Sequence, residues 1–394
     1  MPLSFLLPRK YRNIGRMGHI AQVFFSKGFG HVITQMGLHR ALPFRRRWSR
    51  AYGIDLEPHT VAVRLRQAFE ELGPTFIKFG QVLSGRPDLI TVEFANEFKK
   101  LQDEVPPFPY LDAKKIIETD LGADIDQIFH EFDKTPIAAA SIAQVHRAVL
   151  HDGSIVAVKV RRPGIEKALA QDIPILFWLA DLLEKNVPES HLYNPAGIVE
   201  EFAHTVKQEL DMHIEADNAR KFAENFKDSD KIKIPVVYDG YSSRRILTME
   251  WISGIRIDDL DGLVMGGFNT HEIAKCGAEA FFKQVFEDGI FHADPHAGNM
   301  FVMENGRVGM LDFGMVGRLT DDSMEVIADT FLSLVRKDFD GLVRQYIALG
   351  FVPESIDQER FRKAFKRDLV ELLDPLYGKT ISEIKLSDYI GRVM

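Results

Sequence analysis

Residues 291–314, Phe-His-Ala-Asp-Pro-His-Ala-Gly-Asn-Met-Phe-Val-Met-Glu-Asn-Gly-Arg-Val-Gly-Met-Leu-Asp-Phe-Gly, decide the reading of this chain. Two short apolar runs, 300–303 and 307–311, flank Asn305-Gly306, the dipeptide of a two-residue type I′ hairpin turn. A hairpin brings its ends together, so Asn299 just before it and Asp312 just after it meet at one point, with Asp294 five residues before Asn299. Two oxygen donors at one point suit a hard cation such as Mg²⁺, which keeps water and phosphate oxygens as its other ligands. Two other readings compete. His292, Asp294 and His296 alternate, and alternate residues of a strand share a face, which is a possible zinc site; it leaves Asn299 and Asp312 unexplained. Taken singly, Asp, Asn and Gly are also the ordinary residues of turns.

Upstream, runs at 145–150 and 155–160 flank Asp152-Gly153, a second hairpin signal. Its second strand carries Val156-Ala157-Val158-Lys159, in the manner of the V-A-I-K strand lysine that pairs the α- and β-phosphates of ATP. Asp294 to Asn299 reproduces the D-x-x-x-x-N spacing of a kinase catalytic loop, and Asp312-Phe313-Gly314 is a D-F-G. Each is weak alone; the three in this order, with strands where they belong, predict a kinase-like Mg-ATP site. Lys159 takes the phosphates with Val158 beside it, Asn299 and Asp312 hold Mg²⁺, and Asp294 orients the nucleophile. Met249-Glu250-Trp251-Ile252 follows a strand and resembles a hinge, with Glu250 and Ile252 at the adenine.

The departures from an ordinary kinase are equally specific. No G-x-G-x-x-G precedes Lys159; Ala138-Ala139-Ala140-Ser141 stands there instead, a stiffer segment less able to take positive φ. The loop reads His292-Ala293-Asp294 without the Arg of H-R-D, and no A-P-E follows Asp312. Carboxylates able to orient Lys159 come late, in Glu209-Leu210-Asp211 and Glu215. Six residues apart on one helix, Glu209 and Glu215 cannot share a face; both are candidates for Lys159, Glu215 is favoured, and that choice leaves Glu209 and Asp211 available to Lys78.

These departures form a pattern of their own. The chain resembles the UbiB/ADCK family of atypical kinase-like proteins over nearly its whole length. The family's K-x-G-Q is Lys78-Phe79-Gly80-Gln81, followed by Ser84-Gly85-Arg86-Pro87-Asp88-Leu89. Its alanine-rich loop is residues 138–146, its E-x-D is Glu209-Leu210-Asp211, and its H-x-D-P-H-x-G-N is residues 292–299. Tyr11-Arg12-Asn13-Ile14-Gly15-Arg16 resembles the opening of the bacterial branch. The resemblance implies an α+β, protein-kinase-like two-lobed fold with an N-terminal helical extension, whose K-x-G-Q helix (Lys78, Gln81) folds over the active site. It also implies ATP and Mg²⁺ as cofactors, ATPase rather than conventional protein kinase behaviour, and support of ubiquinone or related isoprenoid-lipid biosynthesis. Implied partners are a quinone precursor, the proteins that make quinones, and membrane lipids at the cytoplasmic face of a bacterial inner membrane. The alternative function is a nucleotide-gated binding module without essential catalysis.

Helical periodicity over 61–121, the strand signals that follow, and helices again from 271 divide the chain. The expected domains are a helical extension (1–130), an N-lobe (131–254) with an inserted helix at 165–184, and a C-lobe (255–394). A single helix is read over 198–222. Charge is uneven: of 49 Lys and Arg against 57 Asp and Glu, ten basic residues and no acid lie in residues 1–50, leaving 39 basic against 57 acidic beyond them. The acidic body excludes nucleic acid as a partner, since phosphate contacts need clustered cations. In the basic head, Ile14, Met17, Ala21 and Phe24 fall at helical spacing, giving a membrane-surface helix, a strut against the acidic body, or a transit peptide. Behind a kinase-like body, attraction of Arg45, Arg46 and Arg47 to anionic lipid headgroups is the favoured meaning. The single Cys276 excludes a disulfide framework and a Cys-based zinc cluster. No apolar run reaches the roughly 18 residues of a spanning helix, so a family member with transmembrane helices would have them beyond residue 394.

Overall fold

The computed structural model describes residues 14–29, 60–86, 89–102, 106–186, 194–348 and 358–374. They fall into two compact units: Met1–Ile214 with Val237–Trp251, and Glu215–Val236 with Ile252–Met394.

The first unit begins with helices α1 (Ile14–Phe24), α2 (Val61–Leu72), α3 (Pro74–Ser84) and α4 (Val92–Lys99). Thr60 caps α2 by accepting from the Val63 N–H, and Gly73, at φ 93°, ends it and lets Pro74 open α3, the position where proline's missing N–H costs nothing. Phe69, Phe76 and Phe98 join these helices, with Phe69 stacked on Phe98 at 5.3 Å. Gly80 makes the joint close: a Cβ there would lie 2.4 Å from Leu101 and 2.9 Å from Phe69. Next come α5 (Tyr110–Leu121) and α6 (Ile125–Ile128). Their residues Ile116, Ile117, Ile125 and Ile128 share one core with the sheet residues Val156, Val158, Val160 and Ile246.

That sheet runs β1 (Glu131–Phe132), β3 (Ala143–Val149), β4 (Ile155–Arg161), β6 (Ile246–Glu250), with β2 (Ala138–Ala139) also on β3. All its pairs are antiparallel, and β4 lies between β3 and β6 with Lys159 opposite Val145 and Leu247. Then follow α7 (Ile165–Asn186), α8 (Pro195–Glu209) and the start of α9 (Met212–Asn225). No helix among the described residues is long and apolar enough to cross a membrane.

The single helix read over 198–222 is two. Helix α8 stops at Glu209 and α9 starts at Met212. The break is tertiary in origin: the Arg161 guanidinium takes the Leu210 carbonyl, Met212 N–H donates to Arg244 O, and the Asp211 carboxylate accepts from the His213 N–H. Glu209 and Glu215 therefore sit on different helices, and the argument that they cannot share a face does not apply to them.

The second unit carries β5 (Ile232–Lys233), β7 (Ile255–Arg256), α10 (Leu260–Met265), α11 (Thr270–Lys283), β8 (Ile290–His292), β9 (Met300–Val302), β10 (Val308–Met310) and β11 (Val316–Arg318). Helices α12 (Asp321–Val335), α13 (Phe339–Ala348) and α14 (Gln358–Leu373) follow. One sheet has the order β5-β10-β9-β7, with β5 and β10 parallel; β8 and β11 form a separate antiparallel pair.

The β9–β10 hairpin is present, but its turn is not type I′, which needs positive φ at both central residues. Only Gly306 is left-handed, at φ 81°. Gly306 N–H closes a four-residue turn on Met303 O, and the Asn305 carboxamide is spent accepting the Arg307 N–H. The β3–β4 hairpin turns the same way: Gly153, at φ 87°, bonds to Leu150 O, and Asp152 accepts the Ser154 N–H.

Candidate functional site

In the first unit, strand alternation settles which residues surround Lys159. Val156, Val158 and Val160 are buried in the core, so Lys159 lies on the opposite face together with Ala157. Val158, expected beside the nucleotide, therefore has its side chain in the core, and Ala157 is the residue on the lysine's face. Strict period-two reading of the four-residue motif already contained that distinction.

The alanine-rich segment is a tight hairpin. Ala138 and Ala139 pair with Val145 and Gln144, and Ala140 N–H donates to Ala143 O at 2.8 Å. None of residues 138–141 takes positive φ, which fits alanine where a glycine loop would need that freedom. The buried Ser141 hydroxyl donates to Gln81 Oε1 at 3.2 Å, and Gln81 Nε2 donates to Leu101 O at 2.9 Å. The K-x-G-Q helix thus holds this turn directly.

Lys78 of the same helix forms an ion pair with Glu209 at 2.7 Å, its partner only 5% exposed. Helix α3 meets α8 through Phe79 against Phe202, ring centroids 5.1 Å apart. Asp211, expected to share Lys78 with Glu209, instead caps α9 and faces Arg244 at 3.4 Å. Glu250 ends β6 opposite Val156, and Trp251 N–H donates to Ile155 O at 3.1 Å. The chain passes from one unit to the other immediately afterwards, at Ile252.

In the second unit, His292 is the keystone of the loop. It pairs with Val316 across β8 and β11, and its backbone N–H donates to the buried Gln284 side chain at 2.9 Å. Its ring accepts the Asp294 N–H at Nδ1 (3.2 Å), so Nε2 carries the proton that is donated to Leu311 O at 3.3 Å. Both ring nitrogens are used by backbone, and no group of three His, Cys, Asp or Glu able to hold a metal exists among the described residues. The zinc reading is overturned: the imidazole that would bind metal is a brace. His296 likewise accepts the Gly298 N–H at Nδ1.

This brace leaves the Asp294 side chain exposed at the bend. Asn299 immediately precedes β9, and its carbonyl accepts the Leu311 N–H at 2.8 Å. Asn299 and Asp312 accordingly stand at the same end of the β9–β10 hairpin, as the spacing predicts. Asp312 is one of three described non-glycine residues with positive φ, at 56°, and its carboxylate accepts the Gly314 N–H at 3.1 Å. Strain of this kind persists where surroundings over-determine it, and here Phe313 supplies them. Its fully buried ring lies 5.0 Å from Phe222 and 5.8 Å from His292. Asn218, buried on α9, donates to Phe313 O at 3.0 Å. Glu215, Asn218 and Phe222 fall three and four residues apart on α9, one face of a helix. The sequence alone gives Asn218 and Phe222 no role, although the spacing from Glu215 could have found one.

At one hairpin end of the second unit, an amide oxygen and a carboxylate are donors that suit Mg²⁺, and Asn299 and Asp312 would hold the ion. In the first unit, Lys159 on its strand is a cation suited to phosphate.

Comparison with known proteins gives the family. Residues 100–346 match the ABC1 atypical kinase-like domain. The chain is 40% identical over 334 residues to a probable protein kinase UbiB of Marinobacter nauticus, covering 84% of this chain and 60% of that one. It is 39% identical over 330 residues to a protein of the same name from Shewanella denitrificans, covering 82% and 59%. Among solved structures it is similar to Rv3197 of Mycobacterium tuberculosis, described in complex with erythromycin, at TM-score 0.51 and 27% identity, over 75% of this chain and 74% of that one. The chain spans about three-fifths of the length of the curated relatives it matches.

Proposed function

The chain belongs to the ABC1 atypical kinase-like family, and on that premise we propose that it binds Mg-ATP and transfers the γ-phosphoryl group to water or a small acceptor in support of isoprenoid-quinone supply at a membrane. The observation that carries this reading is the braced loop of the second unit: His292 and Phe313 hold Asp294, Asn299 and the left-handed Asp312 in the order and spacing of a phosphoryl-transfer centre. Asp294 would orient the attacking oxygen, Asn299 and Asp312 would carry the ion, and Lys159 would neutralise the phosphates. Conventional protein phosphorylation is disfavoured, because the glycine loop, the H-R-D arginine and A-P-E are all missing.

Quinone supply is carried over from the resemblance to the UbiB/ADCK family, to which the relatives named UbiB point. The lipid role assigned to Arg45, Arg46 and Arg47 concerns residues outside those described. A second reading, a nucleotide-gated binding module, is favoured by the contacts of the K-x-G-Q helix with Ser141 and Glu209, through which nucleotide binding at the turn would reach the extension. Phosphate release by the purified chain, with and without anionic liposomes and a phenolic quinone precursor, tests the enzyme reading. Asp294→Asn should lower turnover at least about a hundredfold while ADP still binds. If this variant loses turnover yet sustains quinone production in cells, the module reading replaces it.

A further inference from the structure

Arg162, one residue beyond β4, has no carboxylate partner among the described residues, and burial pushes its pKa down. What surrounds it instead is backbone and a ring. Its Nη2 donates to Ala140 O at 3.1 Å and to Pro106 O at 2.9 Å, and its guanidinium lies 5.4 Å from the centroid of the Phe108 ring. Its own N–H donates to Ile142 O at 2.7 Å. The turn at 140–142 is thereby gripped at two carbonyls by one residue, which at the same time holds the segment before α5.

A second tie joins the same two segments. The buried Gln144 carboxamide accepts the Phe108 N–H at 2.9 Å and donates to His146 Nε2 at 2.9 Å; His146 Nδ1 then donates to Asp133 O at 2.8 Å. Both ties end on residues 106–108, and neither involves the K-x-G-Q helix.

We propose that Arg162 is a positioning residue for the alanine-rich turn, fixing Ala140 and Ile142 against Pro106 and Phe108 so that the turn is set before any nucleotide arrives. Its relevance to turnover rests on the reading that this turn meets the nucleotide phosphates. The role suits arginine: Nη2 gives its two protons to two carbonyls while the delocalised guanidinium lies over the Phe108 ring, and a lysine ammonium keeps the charge without that planar geometry.

The test is hydrogen exchange without nucleotide on the whole chain, comparing Arg162→Gln and Arg162→Lys with the parent, together with ADP titration. The Ala140 amide should exchange about tenfold to a hundredfold faster in Arg162→Gln, and by less in Arg162→Lys, while the Val158 and Val160 amides in β4 keep their protection. ADP affinity should shift at least about threefold in the same rank order. An unchanged Ala140 amide overturns the proposal, as does acceleration shared equally by Val158 and Val160, which would mean general loosening. Local acceleration with ADP affinity unmoved also overturns it. Should Arg162→Gln fail to fold, Arg162→Lys carries the comparison. If the parent binds no nucleotide at all, the proposed function falls, while the exchange pattern still decides whether Arg162 sets the turn.

Discussion

At the scale of single residues, charges and imidazoles taken out of water carry most of the testable consequence. Lys78 and Glu209 meet at 2.7 Å with little solvent around the carboxylate. Removing one partner of a buried pair leaves an uncompensated charge, whereas removing both does not. Lys78→Met should therefore cost about 2–4 kcal/mol in denaturant unfolding, and adding Glu209→Leu should recover most of it. His146 adds a pH dependence. It is fully buried, with Nε2 accepting from Gln144 and Nδ1 donating to backbone, and burial pushes its pKa below the ordinary imidazole value. The folded chain thus holds it neutral while the unfolded chain takes up a proton on acidification. Its stabilising contribution is complete above the unfolded value of about 6.5 and declines as pH falls below it. Stability measured from pH 7.5 to 5.5 should fall less steeply in His146→Gln than in the parent. The motif residues Lys78 and Glu209 were legible as chemistry in the sequence; that Asp211 serves as a helix cap was not, because the break it caps is set by Arg161 and Arg244 from other segments.

At the scale of elements, legibility followed how local the determinant is. Both hairpins were readable because alternating valines and a glycine turn are nearest-neighbour effects. The turn type was not, since Asn305 had a competing use for its side chain in the Arg307 N–H. The break between α8 and α9 was invisible for a related reason: Glu209-Leu210-Asp211-Met212 contains neither Gly nor Pro, and Arg161 and Arg244, distant in sequence, end one helix and seat the next. Glycine within the K-x-G-Q helix is the reverse case, where sequence showed the residue and packing explains it. Gly80 faces the buried side chains of Phe69 and Leu101 so closely that a methyl group cannot enter without moving them. Alanine would gain about 1 kcal/mol in helix propensity, but overpacking costs typically about 1–3 kcal/mol. Gly80→Ala should come out destabilised in thermal unfolding and should disturb the Lys78 and Gln81 contacts on the same helix. A more stable variant would mean that Phe69 and Leu101 yield freely.

At the scale of the whole molecule, the uneven charge acquires a partial structural meaning. Of the ten basic residues in the head, Arg16 and Lys27 are described, and both face acids: Arg16 meets Asp172 at 2.8 Å and Lys27 meets Glu71 at 3.1 Å. The apolar face of α1 is likewise taken, with Met17, Ile20, Ala21 and Val23 all buried. Over 14–24 the head is a strut, and Arg45, Arg46 and Arg47, proposed for lipid, lie outside the described residues. Asp172 is 2% exposed and receives two donors from Arg16, which also donates to the Leu72 carbonyl at the end of α2. One guanidinium therefore joins α1, α2 and α7. Arg16→Ala strands a buried carboxylate, a loss of about 3–5 kcal/mol when no other cation replaces the partner, whereas Arg16→Ala with Asp172→Asn strands only a neutral amide. Hydrogen exchange over 14–24 should accelerate sharply in the single variant and recover in part in the double one, with liposome binding unaffected in both. Loss of liposome binding with α1 still protected would show that Arg16 serves the lipid surface, and the strut would have to be abandoned.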